Sequence, residues 1–141
     1  MSTSRGGARD VVHSIAVDEK TKKSAREEAE RRGVGGYARH MFMCVGPDCC
    51  TTDEGMAAWA RLKKRVGELN AEPGRAAVYR TKVGCLRICT EGPTAVVYPE
   101  GTWYAGLKPE NLERVIDEDL GKGRAVEDLV IGRNPLPGTR S

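Results

Sequence analysis

The chain has 141 residues, 39% hydrophobic and only 5% aromatic, a length that suits one domain with a tail and leaves little room for a second. No run approaches the ~20 apolar residues of a membrane span, and the opening MSTSRGGARD lacks the apolar stretch of a secretory signal, so the chain reads as cytoplasmic and without membrane attachment. The formal charge of +3 comes from residues 1–40, with nine Lys/Arg against six Asp/Glu, while the remainder carries fourteen of each; there is no clustered basic stripe with aromatics, which argues against a nucleic-acid partner.

Residues 1–37 read as a charged N-terminal arm. The run DEKTKKSAREEAERRG offers helical pairs such as Lys23 with Glu27 but hardly any apolar face, and GVGG follows as a linker, so a flexible or loosely docked arm is expected. ARHMFMC, residues 38–44, has apolar residues on both faces and reads as an interior strand ending at Cys44. The loop VGPDCC leads into TTDEGMAAWARLKKRVGEL, where Trp59, Leu62, Val66 and Leu69 recur at helical spacing and Thr51 with Glu54 matches a capping box.

After the turn AEPG, RAAVYRTK reads as a second strand running into the loop that carries Cys85 and Cys89. TAVVYPEGTWYAGL follows, two β-rich arms about Pro99-Glu100-Gly101, a hairpin. Pro109 opens a second helix whose Leu112, Val115, Ile116 and Leu120 share a face, with Gly121 placed to stop it. Lys108 stands where a hydroxyl cap is expected. The end, AVEDLVIGRNPLPGTRS, reads as a helical turn and then a Pro-rich tail over 131–141. The order β-α-β-β-β-α predicts an α/β fold with helices packed on a mixed sheet.

The chemistry lies in five cysteines: Cys44, Cys49, Cys50, Cys85 and Cys89. Cytosolic thiols stay reduced, and clustered ones more often bind metal or react than form bridges; an odd number leaves one spare in any four-ligand scheme. Cys44 ends the first strand, and Cys85 and Cys89 follow the second. A helical crossover lets these strands lie parallel, which makes their C-terminal loops neighbours. Four convergent thiolates suit zinc or an iron–sulfur cluster. The CxxxxC and CxxxC spacings lack the CxxC knuckle of zinc ribbons and the CxxC of thiol redox enzymes. His13 in the arm and His40 within a strand are not placed as a base for a catalytic thiol. A zinc-stabilised binding module using the same cysteines is the alternative.

MFMCVGPDCC, the amphipathic helix, RTKVGCLRICTEGPTAVVYPEGTWYAGLKPENLERVIDEDL and GRAVEDLV together resemble the thioredoxin-like [2Fe-2S] ferredoxins of the Shethna-protein type. A related domain occurs in the small iron–sulfur subunit of NADH dehydrogenases and hydrogenases. The likeness covers residues 38–130, and its most specific part is the second cysteine pair with GPTAVVYPEGTWY. The resemblance implies a thioredoxin-like fold and one [2Fe-2S] cluster held by Cys44, one of Cys49 or Cys50, Cys85 and Cys89. It also implies one-electron transfer with no catalytic residue, oxidoreductase partners and a homodimer. Of the doublet, Cys49 gives the CxxxxC spacing frequent in the family. Adjacent residues in an extended loop point to opposite sides, which leaves Cys50 to pack beside Thr51. Arg87 places a positive charge between two ligands, and Gly84, Gly92 and Pro93 are expected to shape the loop through close backbone approach and turn geometry.

Overall fold

The computed structural model describes residues 17–137; His13 and the ends of the chain lie outside them. The chain divides into two compact units between Gly35 and Gly36. In the first, the charged run forms helix α1, Glu19–Arg31, capped by Asp18, whose side chain accepts from the Thr21 N–H. It buries no residue. Among the described residues its ion pairs are Lys22 with Glu19 and Glu28 with both Arg31 and Arg32, rather than the Lys23–Glu27 pair that the spacing suggests.

The second unit is a five-stranded mixed sheet: β1 (Tyr37–Cys44), β2 (Ala77–Val83), β3 (Ala95–Tyr98), β4 (Thr102–Tyr104) and β5 (Val130–Arg133), in the order β2-β1-β3-β4-β5. β1 and β2 are parallel, joined by the crossover helix α2 (Thr52–Ala71). The other neighbours are antiparallel, with β3 and β4 forming the hairpin around Pro99-Glu100-Gly101.

Helix α2 starts where its sequence says it must. Thr51 Oγ1 accepts from the Glu54 N–H at 3.1 Å and Glu54 Oε1 accepts from the Thr51 N–H at 3.0 Å, a complete capping box. Trp59, Leu62, Val66 and Leu69 turn onto the sheet and are all buried, each such side chain stabilising the fold by roughly 1.5–3 kcal/mol. They meet Met41, Met43, Val78, Ala95, Val97 and Tyr104 from one sheet face and Leu112, Val115, Ile116 and Leu120 from the last helix.

That last helix departs from expectation in two ways. It begins as α3, Pro109–Val115, with Lys108 at the cap making no side-chain cap bond; the Lys108 ammonium instead pairs with Glu54 at 3.0 Å. It then widens to a π-helical turn over Ile116–Leu120, which keeps Ile116 and Leu120 on the buried face and also buries Asp119. Asp119 accepts from the Tyr104 hydroxyl at 2.6 Å, and the same oxygen of Tyr104 accepts from the Val126 N–H at 3.1 Å. Gly121 does not stop the helix. Helical structure continues to Lys122, and Gly123, at φ +74°, ends it, because a left-handed residue there lets the Gly123 and Arg124 N–H groups satisfy the Asp119 and Glu118 carbonyls.

The segment expected as a turn and tail forms a 3-10 turn, Glu127–Leu129, and then β5, which pairs with β4. The sheet therefore runs through the expected tail boundary at 130/131.

The sheet face opposite the helices carries a different texture. Tyr37 and Tyr79 stack with centroids 4.9 Å apart, His40 stacks on Phe42 at 4.0 Å, and Phe42 meets Tyr98 edge-on at 6.1 Å. All five side chains are half-buried. His40 bonds Thr81 Oγ1 through Nε2 at 2.7 Å and Tyr37 OH through Nδ1 at 3.3 Å, and burial lowers its pKa.

Candidate metal centre

The parallel crossover brings the ends of β1 and β2 to the same edge of the unit. Cys44 is the last residue of β1 and is buried, its N–H bonded to the Thr94 carbonyl at 2.9 Å. The loop after it reverses on Gly46 at φ +88°, where a Cβ would come within 2.5 Å of the Cys50 carbonyl oxygen. This tight turn carries Cys49 back to Cys44. Cys49 is buried, and its thiol lies 3.0 Å from Cys44 Sγ. Cys50 is only half-buried, with its sulfur 3.7 Å from Cys49 Sγ.

Cys85 and Cys89 follow β2 and are both exposed. Their sulfurs and a carboxylate oxygen of Asp48 lie within 4.8 Å of one another. Arg87, between the two cysteines, adopts φ +72°, a left-handed conformation unusual for a residue with a side chain. This turns its N–H onto Cys85 Sγ at 3.2 Å. The structure thus gathers two sulfur pairs, Cys44 with Cys49 and Cys85 with Cys89.

Gly92 ties the two loops together. Its N–H donates to the Cys49 carbonyl at 2.8 Å, and a Cβ at Gly92 would meet Cys49 O, C and Cβ at 2.6, 2.7 and 2.7 Å. The expected close approach is therefore real at Gly92. At Gly84 it is not: a Cβ there would meet nothing within 4 Å, because the chain leaves β2 into open space.

The electrostatics fit a cation-bound set of thiolates. Burial works against ionising Cys44, yet the hydrogen bond from the Cys49 thiol and the Gly46 and Leu86 N–H groups together draw its pKa below the ordinary value. Burial, with the neighbouring Cys44 and Cys50 sulfurs, pushes Cys49 up to about 12. Partial desolvation and the charges of Cys85 and Asp48 likewise push Cys89 up. Crowded thiols resist losing more than one proton until positive charge arrives among them. Metal binding to cysteine supplies that charge and releases those protons.

One polar atom in the centre has no partner. Thr94 Oγ1 is buried without a hydrogen-bond partner among the described residues, as expected of a donor whose acceptor is a ligand sulfur or a bound group. The thiol set and this hydroxyl both fit a soft-metal centre, and a fully sulfur-ligated one above all.

Comparison with known proteins agrees. A [2Fe-2S] ferredoxin of Clostridium pasteurianum is 34% identical over 99 residues, covering 65% of this chain and 94% of that protein. The chain belongs to the [2Fe-2S] ferredoxins. A second member, from Aquifex aeolicus, is 43% identical over 58 residues, a match spanning 52% of its length and 41% of this chain. The solved thioredoxin-like [2Fe-2S] ferredoxin from Aquifex aeolicus superposes with a TM-score of 0.56 at 28% identity, covering 74% of this chain and 99% of that one. The fold is accordingly thioredoxin-like. No protein-family model matches the chain.

Three features of the centre were not read from the sequence: Asp48 beside the second cysteine pair, the Arg87 N–H turned onto Cys85 Sγ, and the unpartnered Thr94. For Thr94 a signal existed, since it is a hydroxyl opening the otherwise apolar run TAVVY.

Proposed function

We propose that this ferredoxin carries single electrons on one [2Fe-2S] cluster held by Cys44, Cys49, Cys85 and Cys89, and that it catalyses no reaction itself. The observation that carries the ligand set is the pairing of sulfurs at neighbouring strand ends, with Cys49 turned in against Cys44 and Cys50 half-exposed. The cluster supplies a one-electron couple. The polypeptide sets how easily that couple is reduced, through N–H donors to sulfur, nearby charge and burial. The Arg87 N–H and the guanidinium of the same residue favour the more negative reduced state, and Asp48 opposes it. The names of the relatives give iron and sulfide, so the zinc-stabilised module loses its support.

Cys85 and Cys89 lie at the surface, which supports electron exchange with an oxidoreductase docked over that loop. A homodimer is supported by the half-buried aromatic face of Tyr37, His40, Phe42, Tyr79 and Tyr98, which a second copy would cover. A cytoplasmic location is supported by a cysteine set assigned to a metal centre rather than to bridges; no helix of the described residues is long and apolar enough to cross a membrane.

Separate Cys→Ser variants at all five positions test the ligand set. Ser at 44, 49, 85 or 89 should abolish or visibly alter the spectrum and the electron paramagnetic resonance of the reduced protein, whereas Cys50→Ser should leave both as in the parent. A parental spectrum in Cys49→Ser with an altered one in Cys50→Ser would reverse the assignment.

A further inference from the structure

Thr94 is the residue of the centre whose chemistry the fold alone does not explain. It opens the run TAVVY, and its backbone carbonyl accepts the Cys44 N–H at 2.9 Å. That bond continues the antiparallel register of Met43 with Ala95, so Thr94 and Cys44 are directly opposed and their side chains leave the same face of the sheet. Thr94 is 0% exposed, and Oγ1 has no hydrogen-bond partner among the described residues. Valine has nearly the same shape and would fill the position without burying a hydroxyl. A hydroxyl kept in such a place implies an acceptor, and the facing side chain is that of Cys44.

Resting on the ligand assignment of Cys44 above, we propose that Thr94 Oγ1 donates a hydrogen bond to the Cys44 sulfur in the loaded protein. Thr94 is thereby a positioning residue that makes the centre easier to reduce. A donor to a ligand sulfur stabilises the reduced state, which carries one more negative charge, more than the oxidised state. The hydroxyl needs no movement of the backbone to act, because the Cys44–Thr94 bond already fixes the two residues face to face.

The experiment is a spectroelectrochemical titration of the intact loaded protein and of its Thr94→Val and Thr94→Ser variants, with iron and acid-labile sulfide measured on each. Thr94→Val deletes the donor and keeps the volume, and it should make reduction less favourable by about tenfold, which is 59 mV for a one-electron couple. Thr94→Ser keeps the donor and should stay at the parental potential. Thr94→Ala, which cannot crowd the site, should fall as Thr94→Val does and serves if the valine variant does not load. A parental potential in a loaded Thr94→Val or Thr94→Ala, or an equal fall in Thr94→Ser, would overturn the proposal while leaving the cluster assignment standing. A parent protein without iron and sulfide would instead overturn the reading on which the proposal rests.

Discussion

Gly92→Ala is the substitution whose consequence follows most directly from the geometry. A Cβ at this position would stand 2.6 Å from the Cys49 carbonyl oxygen and 2.7 Å from Cys49 Cβ, where ordinary contact begins at 3.4 Å. The loop bearing Cys49 must therefore yield by roughly 0.8 Å, the difference between 3.4 and 2.6 Å, whereas metal–ligand distances tolerate about 0.2 Å. Overpacking a close-packed site costs about 1–3 kcal/mol, and each kcal/mol lowers the melting temperature of a domain near 100 residues by roughly 4–8 °C. Gly92→Ala should thus fold with a lowered melting temperature and hold little or no cluster, read as iron and sulfide per chain and as visible absorbance. Gly84→Ala is the control: its Cβ meets nothing, and both readouts should match the parent. A fully loaded Gly92→Ala melting with the parent would refute the contact between the two loops.

Arg87→Glu replaces a positive by a negative charge in the exposed loop between Cys85 and Cys89 and should lower the reduction potential by on the order of tens of millivolts, where 59 mV is a tenfold change; the shift should shrink as salt is raised, and an unchanged potential at low salt would leave the side chain no electrostatic role. His40 is held neutral by burial among the outer-face aromatics, so the folded protein binds fewer protons there than the unfolded chain. The stability this contributes is present above the ordinary value of 6.5 and is lost as pH falls from there toward the depressed folded value. Urea midpoints should fall between pH 7.5 and 5.5, and His40→Gln should flatten that slope; equal slopes in the two proteins would assign the acid sensitivity elsewhere. Removing residues 1–36 should leave the visible spectrum and the cluster content unchanged, because α1 buries no residue and β1 begins at Tyr37; a colourless product would make the arm part of the fold.

Those elements whose periodicity and end signals agree were legible in the sequence. The Thr51–Glu54 box and the Trp59-Leu62-Val66-Leu69 stripe define α2 without reference to anything distant, and the crossover it makes brings Cys44 beside the Cys85 loop. Strand β5 was not legible, because VIGR alternates weakly and three of its four residues are exposed; pairing with β4 creates it. The π-helical turn at Ile116–Leu120 was hidden for a related reason. Within it Asp119 is buried and bonded to Tyr104, fifteen residues away in sequence, a contact that local periodicity does not report. At the centre, the four proposed ligands could be named from strand ends and family spacing, but the Arg87 N–H on Cys85 goes with a left-handed backbone at position 87 that an arginine does not advertise. Thr94 required the register of β3 against β1 before its hydroxyl acquired a meaning.

The central claim is that the chain holds a [2Fe-2S] cluster on its own cysteines, and elemental analysis of protein purified anaerobically from iron-replete cells tests it most directly. The account predicts two irons and two acid-labile sulfides per chain, in keeping with the family, and uptake of a single electron on reduction. Stoichiometric zinc with no sulfide would contradict it.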